Sequence, residues 1–178
     1  PVTISFDKKA LSEIRKQSDA NVTITIKPVQ TLTTAAKKFI GSRPAYDIII
    51  SCVKNGNPLI ISDFNGGIVS ISILYKPSKN EAIGYLYGMY VDGKGNAARI
   101  DGSVYDTNEG AIIISTDHLH LVYGVGYTEP SAKFTDIGTH WGKESINYVV
   151  GRGLFSGTSE TTFAPDTAMT RGMLITVL

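Results

Sequence analysis

Asp117, His118 and His120 stand closest together among the residues able to hold a metal or move a proton. On a strand, a His-x-His pair puts both imidazoles on one face, as a tetrahedral zinc site requires. A third ligand is missing unless Asp117 bends round or His140 approaches from further along the chain. The two histidines alternate with Leu119 and Leu121, so they read as solvent-facing side chains, and no metal or other cofactor is expected. Asp92, Asp101, Asp106 and Glu109 could supply the paired carboxylates of a hydrolase. They fall, however, in glycine- and asparagine-rich stretches where turns recruit acids. Neither Ser115 nor Cys52 has an identifiable base and oxyanion partner. Cys52 is in phase with Tyr46, Ile48 and Ile50, which makes it a small buried apolar residue, and a single cysteine forms no internal disulfide. Gly93-Lys94-Gly95 is hairpin chemistry, because no helix follows it to receive a phosphate. Tyr85, Tyr87 and Tyr90 offer either a sugar-stacking patch or cross-strand packing. No catalytic constellation emerges, and the chain is expected not to be an enzyme.

The 178 residues are 42% apolar and 19% charged, the balance of a chain that buries a core rather than one that stays disordered. A net charge of +1 gives no field suited to nucleic acid or to an anionic membrane. The densest basic spots, Lys8-Lys9 and Lys37-Lys38, are solvated helix faces. No apolar run is long enough to span a bilayer, so membrane insertion is not expected. No basic start leads into an apolar stretch, so any secretion signal is expected to lie outside this fragment. Both ends read as cut from something longer.

The elements that must position any site follow from periodicity. Val22, Ile24 and Ile26 alternate with Thr23, Thr25 and Lys27, the pattern of a strand with one wet face. Strands are likewise expected at Pro1–Phe6, Tyr46–Val53, Pro58–Phe64, Val69–Tyr75 and Ile83–Val91, with another through Val104. The turns between them fall at Asn55–Pro58, Asn65–Gly67, Asp92–Asn96 and Asn108–Gly110. In the last strand, Leu119, Leu121, Tyr123, Val125 and Tyr127 share one face, and His118, His120, Val122, Gly124 and Gly126 share a polar, solvated one. Asp7 caps a helix with the stripe Ala10, Leu11 and Ile14. Thr33 or Thr34 starts a second, with Ala36, Phe39 and Ile40 inward and Gly41 as its stop. The fold class is therefore α+β: an antiparallel, sandwich-like β-domain with short helices, residues 1–129, followed by a small helix-loop-helix segment, residues 130–178. The polar stretch Thr128–Lys133, with its proline, marks the change of period.

In that C-terminal segment Thr139 or a neighbour starts a helix with the buried stripe Gly142, Ile146, Val149, Val150 and Gly153, stopped at Gly151 or Gly153. Phe163 and Pro165 fix a return loop, and Thr170 caps a second helix. Arg171 then sits in the first turn, where a cation opposes the helix dipole at a cost of roughly 0.3–1 kcal/mol. An arginine fork beside free backbone N–H groups suits a carboxylate or phosphate. The other reading pairs Arg171 with Asp166 or Asp136 and makes it a loop support. Trp141 is either an exposed platform for a sugar ring or a filler of the helix interface, with the filler preferred. Asp136 either orients Arg171 or caps the first helix, with the cap preferred.

The order Phe134-x-Asp136-Ile137, His140-Trp141, Gly153-Leu154-Phe155-x-Gly157, Phe163-x-Pro165 and Met169-Thr170-Arg171 resembles the S-layer homology motif over nearly its whole length, as one copy at residues 134–178 clipped at its end. The resemblance implies a non-catalytic surface protein of a Gram-positive bacterium, located extracellularly in the cell wall or S-layer. It implies binding to anionic, pyruvylated secondary cell-wall polysaccharide through Arg171, Trp141, Asp136 and Thr170. Such motifs usually come in threes, so other motifs of the parent chain or of neighbouring chains are expected partners. The family's glutamate two residues after the arginine, which completes a capping box with the threonine, is replaced by Met173 here.

The first 127 residues resemble, through Val22–Ile26, Arg43–Ile48, Ile61–Gly67, Tyr90–Asn96 and the Ser115–Tyr127 end strand, a β-rich module found before such repeats, which implies a spacer or scaffold. Relatives of that module often read Thr-Thr-His-Phe-Ser near the last strand, similar to self-cleaving sites, which need a hydroxyl or thiol just after the broken bond. His120 occupies that position here, so no self-cleavage is expected. The alternative function is a carbohydrate-binding module whose β-domain engages polysaccharide directly through its tyrosines.

Overall fold

Strand β1 (Val2–Phe6) ends at Asp7, whose Oδ1 accepts the Ala10 N–H at 2.6 Å and starts helix α1 (Lys8–Gln17). That bond satisfies one of the orphan donors of the first turn. It is also the main reason the Asp7 carboxyl lies below its usual range. Ala10 and Ile14 are buried, while Leu11, expected on the same stripe, is 53% exposed. One residue turns a side chain about 100° round the helix, which carries Leu11 off the narrow contact arc. The structure is a computed structural model and describes residues 1–177 apart from 20, 80, 152 and 153. These fall into two compact units, Pro1–Tyr127 and Thr128–Leu178.

The first unit is an antiparallel sandwich. One sheet runs β1, β5 (Val69–Leu74), β9 (Ala111–Thr116) and β8 (Val104–Asp106). The other runs β2 (Thr23–Pro28), β3 (Ala45–Lys54), β10 (Leu121–Tyr127), β6 (Leu86–Val91) and β7 (Ala97–Arg99). Strand β4 (Asn57–Ile61) continues along the β3 edge beyond β10. Ile71 and Ile73 of β5 and Ile112 and Ile114 of β9 meet Ile48 and Ile50 of β3 and Tyr123 and Val125 of β10 in a single core, into which α1 inserts Ala10 and Ile14. Alternation of this kind is what fills the space between two stacked sheets. The α+β class and the sandwich expected from the periodicity are the observed ones.

The outer face of the second sheet departs from expectation. Helix α2 (Thr34–Ile40) lies over it, capped by Thr33 at one end and by Gly41, at φ +61°, at the other. Its Ala36 and Ile40 pack with Ala45, Tyr87, Met89 and Val91, and Val122 joins them. The face assigned to solvent is therefore a second core. Glycine makes this possible: a Cβ at Gly124 would lie 3.0 Å from Ile40, and one at Gly126 2.5 Å from the Tyr87 ring. Conversely, Ile24 and Ile26 of β2 remain 45% and 39% exposed, because β2 is an edge strand and the first sheet does not reach over it.

The end strand expected over Ser115–Tyr127 is two strands in different sheets. Residues 117–120 cross from β9 to β10, with His118 making an isolated bridge to Asp63 and His120 in the left-handed region at φ +71°. His118 and His120 thus do not share a strand face, which removes the premise of a His-x-His metal site. The His118 ring sits 2.6 Å from Asp117, and both side chains are about half exposed.

A polar cluster closes the end of α2. Arg43 Nη1 donates to the Ile40 carbonyl at 3.0 Å, its guanidinium lies 4.9 Å from the Tyr127 ring centroid, and it pairs with Glu81, whose side chain is 8% exposed. Burial alone would raise the Glu81 carboxyl. Hydrogen bonds from Tyr75, the Ser78 N–H and Arg43 outweigh it and bring the pKa from 4.5 to about 2. A depressed folded pKa contributes stability that is present above 4.5 and is lost as pH falls through about 2. Glu81→Gln is expected to cost on the order of 2–3 kcal/mol at neutral pH, since it leaves Arg43 half-buried without its counter-charge. In denaturant melts, the gap between wild type and variant should close between pH 4.5 and 2; a gap independent of pH would mean that the pair is not the source.

Helices α3 (Lys143–Gly151) and α4 (Arg171–Val177) belong to the second unit. Among the described residues, no helix is long and apolar enough to cross a membrane.

Candidate functional site

The β-unit's candidate residues resolve into turn and packing roles. Asp92 accepts from the Asn96 side chain and from the N–H groups of Asn96 and Lys94 at 2.8–2.9 Å, bonds that hold its carboxyl below the usual range. Asp106 accepts from the Asn108 and Glu109 N–H groups, and Glu109 takes the Ser72 hydroxyl at 3.2 Å. Tyr87 and Tyr90 lie on opposite faces of β6, the first under the Arg99 guanidinium in the α2 core and the second against the sandwich core. Tyr85 packs at 6.4 Å on Tyr127. The tyrosines do not form one platform. Cys52 is buried, with its thiol directed at the Gln17 carbonyl.

The second unit is built on Phe134, Ile137 and Ile146, with Val150 and Phe163 packed against them. The Phe134 and Phe163 rings meet edge to face with centroids 5.3 Å apart, a favoured aromatic geometry. The Phe-x-Asp spacing turns Phe134 inward and leaves Asp136 at the surface. The Asp136 carboxylate accepts the N–H groups of Phe163 at 3.0 Å and Ala164 at 2.7 Å, and these hold its pKa below the usual range. It therefore pins the return loop, where Ala164 takes a left-handed φ of +61°. It neither caps α3 nor bonds to Arg171, so both roles expected of it are replaced by this one.

The first helix starts later than Thr139. Two turns, with the His140 N–H donating to the Ile137 carbonyl and the Lys143 N–H to that of His140, occupy residues 137–143, and α3 begins at Lys143. Ile146 and Gly142 are buried on the expected stripe; Val149 and Val150 are half-buried, and Gly153 lies outside the described residues. Gly151 is the last residue of α3, not a left-handed stop. Asn147, not expected on the stripe, is fully buried and its amide oxygen accepts the Ser131 N–H at 3.0 Å.

Trp141 corrects the sequence reading most plainly. It is 90% exposed rather than packed in the helix interface. It falls in the turn before α3, so its side chain projects from the junction and not from the buried stripe. Beside it, the His140 imidazole is folded back with its centroid 5.3 Å away. Nδ1 of that ring accepts the Gly142 N–H at 3.0 Å, and Nε2 lies 3.3 Å from Asp166 Oδ1.

Thr170 caps α4: its Oγ1 accepts the Met173 N–H at 3.2 Å, and its carbonyl takes the Leu174 N–H at 3.1 Å. Arg171 is exposed, and among the described residues its guanidinium forms no ion pair; Asp166 faces His140 and Asp136 faces the return loop. The support role considered for Arg171 thus loses both of its acids. The opening segment carrying Asp136 and Trp141 is tied to the return loop at residues 163–166, and Thr170 and Arg171 follow that loop directly in the chain. Spacing could not reveal the His140–Asp166 pair, because its members lie 26 positions apart in the chain.

A cavity of about 390 Å³ opens between α3, the Leu154–Thr158 segment, the return loop and α4, lined mainly by Ile146, Val149, Phe155, Phe163 and Met173. Leu154, Met169, Leu174 and Ile175 nearby are 43–73% exposed.

Residues 133–172 match the family model of the S-layer homology domain. No curated protein and no solved structure matches the chain. Domains of this family are non-catalytic modules that attach proteins to the cell wall by binding its secondary polymers.

Proposed function

From the S-layer homology domain at residues 133–172, we propose that this chain is a wall-attachment fragment of an extracellular protein, which grips the anionic, pyruvylated secondary polysaccharide of a Gram-positive cell wall. Arg171 supplies the charge-assisted bonds to the polymer's carboxylates, and Trp141 stacks on a sugar ring. Asp136 and Thr170 hold the two loops from which those groups project. The sandwich of residues 1–127 serves as a spacer or scaffold. One observation carries this reading. The indole and the guanidinium of the motif are both exposed, and Arg171 has no acidic partner among the described residues. A large apolar side chain and an unpaired cation contribute little to stability there, so their use is sought in a ligand.

The seven residues of α4 are too short to act as a dipole-based anion site, which leaves the guanidinium itself as the binding group. The exposed apolar groups around the cavity suit burial against other motifs of the same kind, from the parent chain or from neighbouring chains.

Co-sedimentation with purified cell wall tests the proposal, before and after extraction of the acidic polymer. The chain should pellet with intact wall and stay in solution with extracted wall. Arg171→Ala should lower retention roughly tenfold, the worth of a hydrogen bond to a charged group, and leave the melting temperature unchanged. Equal losses of retention and thermal stability would make Arg171 structural, and retention unaffected by polymer extraction would sink the proposal.

A further inference from the structure

Trp141 is so exposed that its own packing cannot orient it, yet a platform for a sugar ring needs a fixed plane. Among the described residues, the ring packed beside it is that of His140, itself only 14% exposed, at 5.3 Å between centroids with the two planes 34° apart. That imidazole is held at both nitrogens. Nδ1 accepts the backbone N–H of Gly142, on the far side of Trp141, so this nitrogen is unprotonated. The neutral ring's proton is then on Nε2, directed at Asp166 on the return loop. The Gly142 position is close-fitting as well: a Cβ there would lie 3.2 Å from the imidazole.

We propose that His140 is the positioning residue for Trp141, clasping the turn that carries the indole to the return loop that leads to Arg171. The inference rests on the wall-attachment reading for its effect on binding but not for the clasp itself.

Trp141 is the chain's one tryptophan, so its fluorescence reports this site without labelling. In the full chain, a clasped indole should show high steady-state fluorescence anisotropy, and His140→Ala should free it, so that the anisotropy falls. The same substitution should lower wall retention roughly fivefold, the worth of one lost hydrogen bond, with no matching fall in melting temperature. Asp166→Asn keeps an acceptor for the Nε2 proton and should leave anisotropy and retention within about twofold of wild type. Unchanged anisotropy in His140→Ala, or full retention by it, overturns the proposal. If the wild-type chain never sediments with wall, the attachment reading falls, while anisotropy lost in His140→Ala still supports the clasp.

Discussion

Trp141→Ala is expected to reduce wall retention by roughly thirtyfold or more, the range of an aromatic hot spot worth about 2 kcal/mol, with no loss of thermal stability. The indole is 90% exposed and belongs to none of the core clusters, so its removal opens no cavity. Trp141→Phe, which keeps a smaller ring, should fall between the two. Co-sedimentation together with a thermal melt separates the outcomes. A drop in melting temperature matching the drop in retention would mean that the indole packs in solution. Undiminished retention would remove it from the site and leave Arg171 alone with the polymer.

Gly157→Ala should have the opposite signature, loss of fold first and of binding as its consequence. Gly157 sits at φ +87°, a conformation that costs an L-residue about 1 kcal/mol or more. Its added Cβ would also lie 2.5 Å from the Phe134 ring and 2.7 Å from the Thr162 carbonyl oxygen. Neither can yield easily, since Phe134 is the centre of the small core and Thr162 O accepts the Thr158 N–H at 2.9 Å. Overpacking of this kind costs about 1–3 kcal/mol beyond the backbone term. A unit of some fifty residues has only about 3–8 kcal/mol of stability, so most of it is consumed. Amide exchange should show residues 128–178 losing protection while the sandwich keeps its own. Unchanged protection in both would show that the turn relaxes around the methyl group.

These two substitutions also mark how far the sequence could be read. The return loop at Phe163 and Pro165 was legible in the sequence; that Phe163 meets Phe134 edge to face, with Gly157 pressed against the Phe134 ring, is the structure's own addition. The caps at Asp7, Thr33 and Thr170 were readable because a cap is a local bond, closed within three residues. At Trp141 the same locality fails, because two consecutive turns occupy residues where helical periodicity predicts the start of a helix. It fails at the end strand too, since alternation continues across residues 117–120 while the backbone turns at His120 and changes sheets.

The sequence by itself determined the class of the fold, most of the strands and caps, and the motif whose order matches the S-layer homology domain, because these depend on periodicity and on bonds between near neighbours. Tertiary structure alone decided that α2 covers the face predicted to be wet, that Asp136 serves the return loop, and that His140 reaches Asp166 beside a bare indole. Each of these joins residues far apart in the chain, and which partner wins there depends on how whole elements pack rather than on what any short stretch prefers.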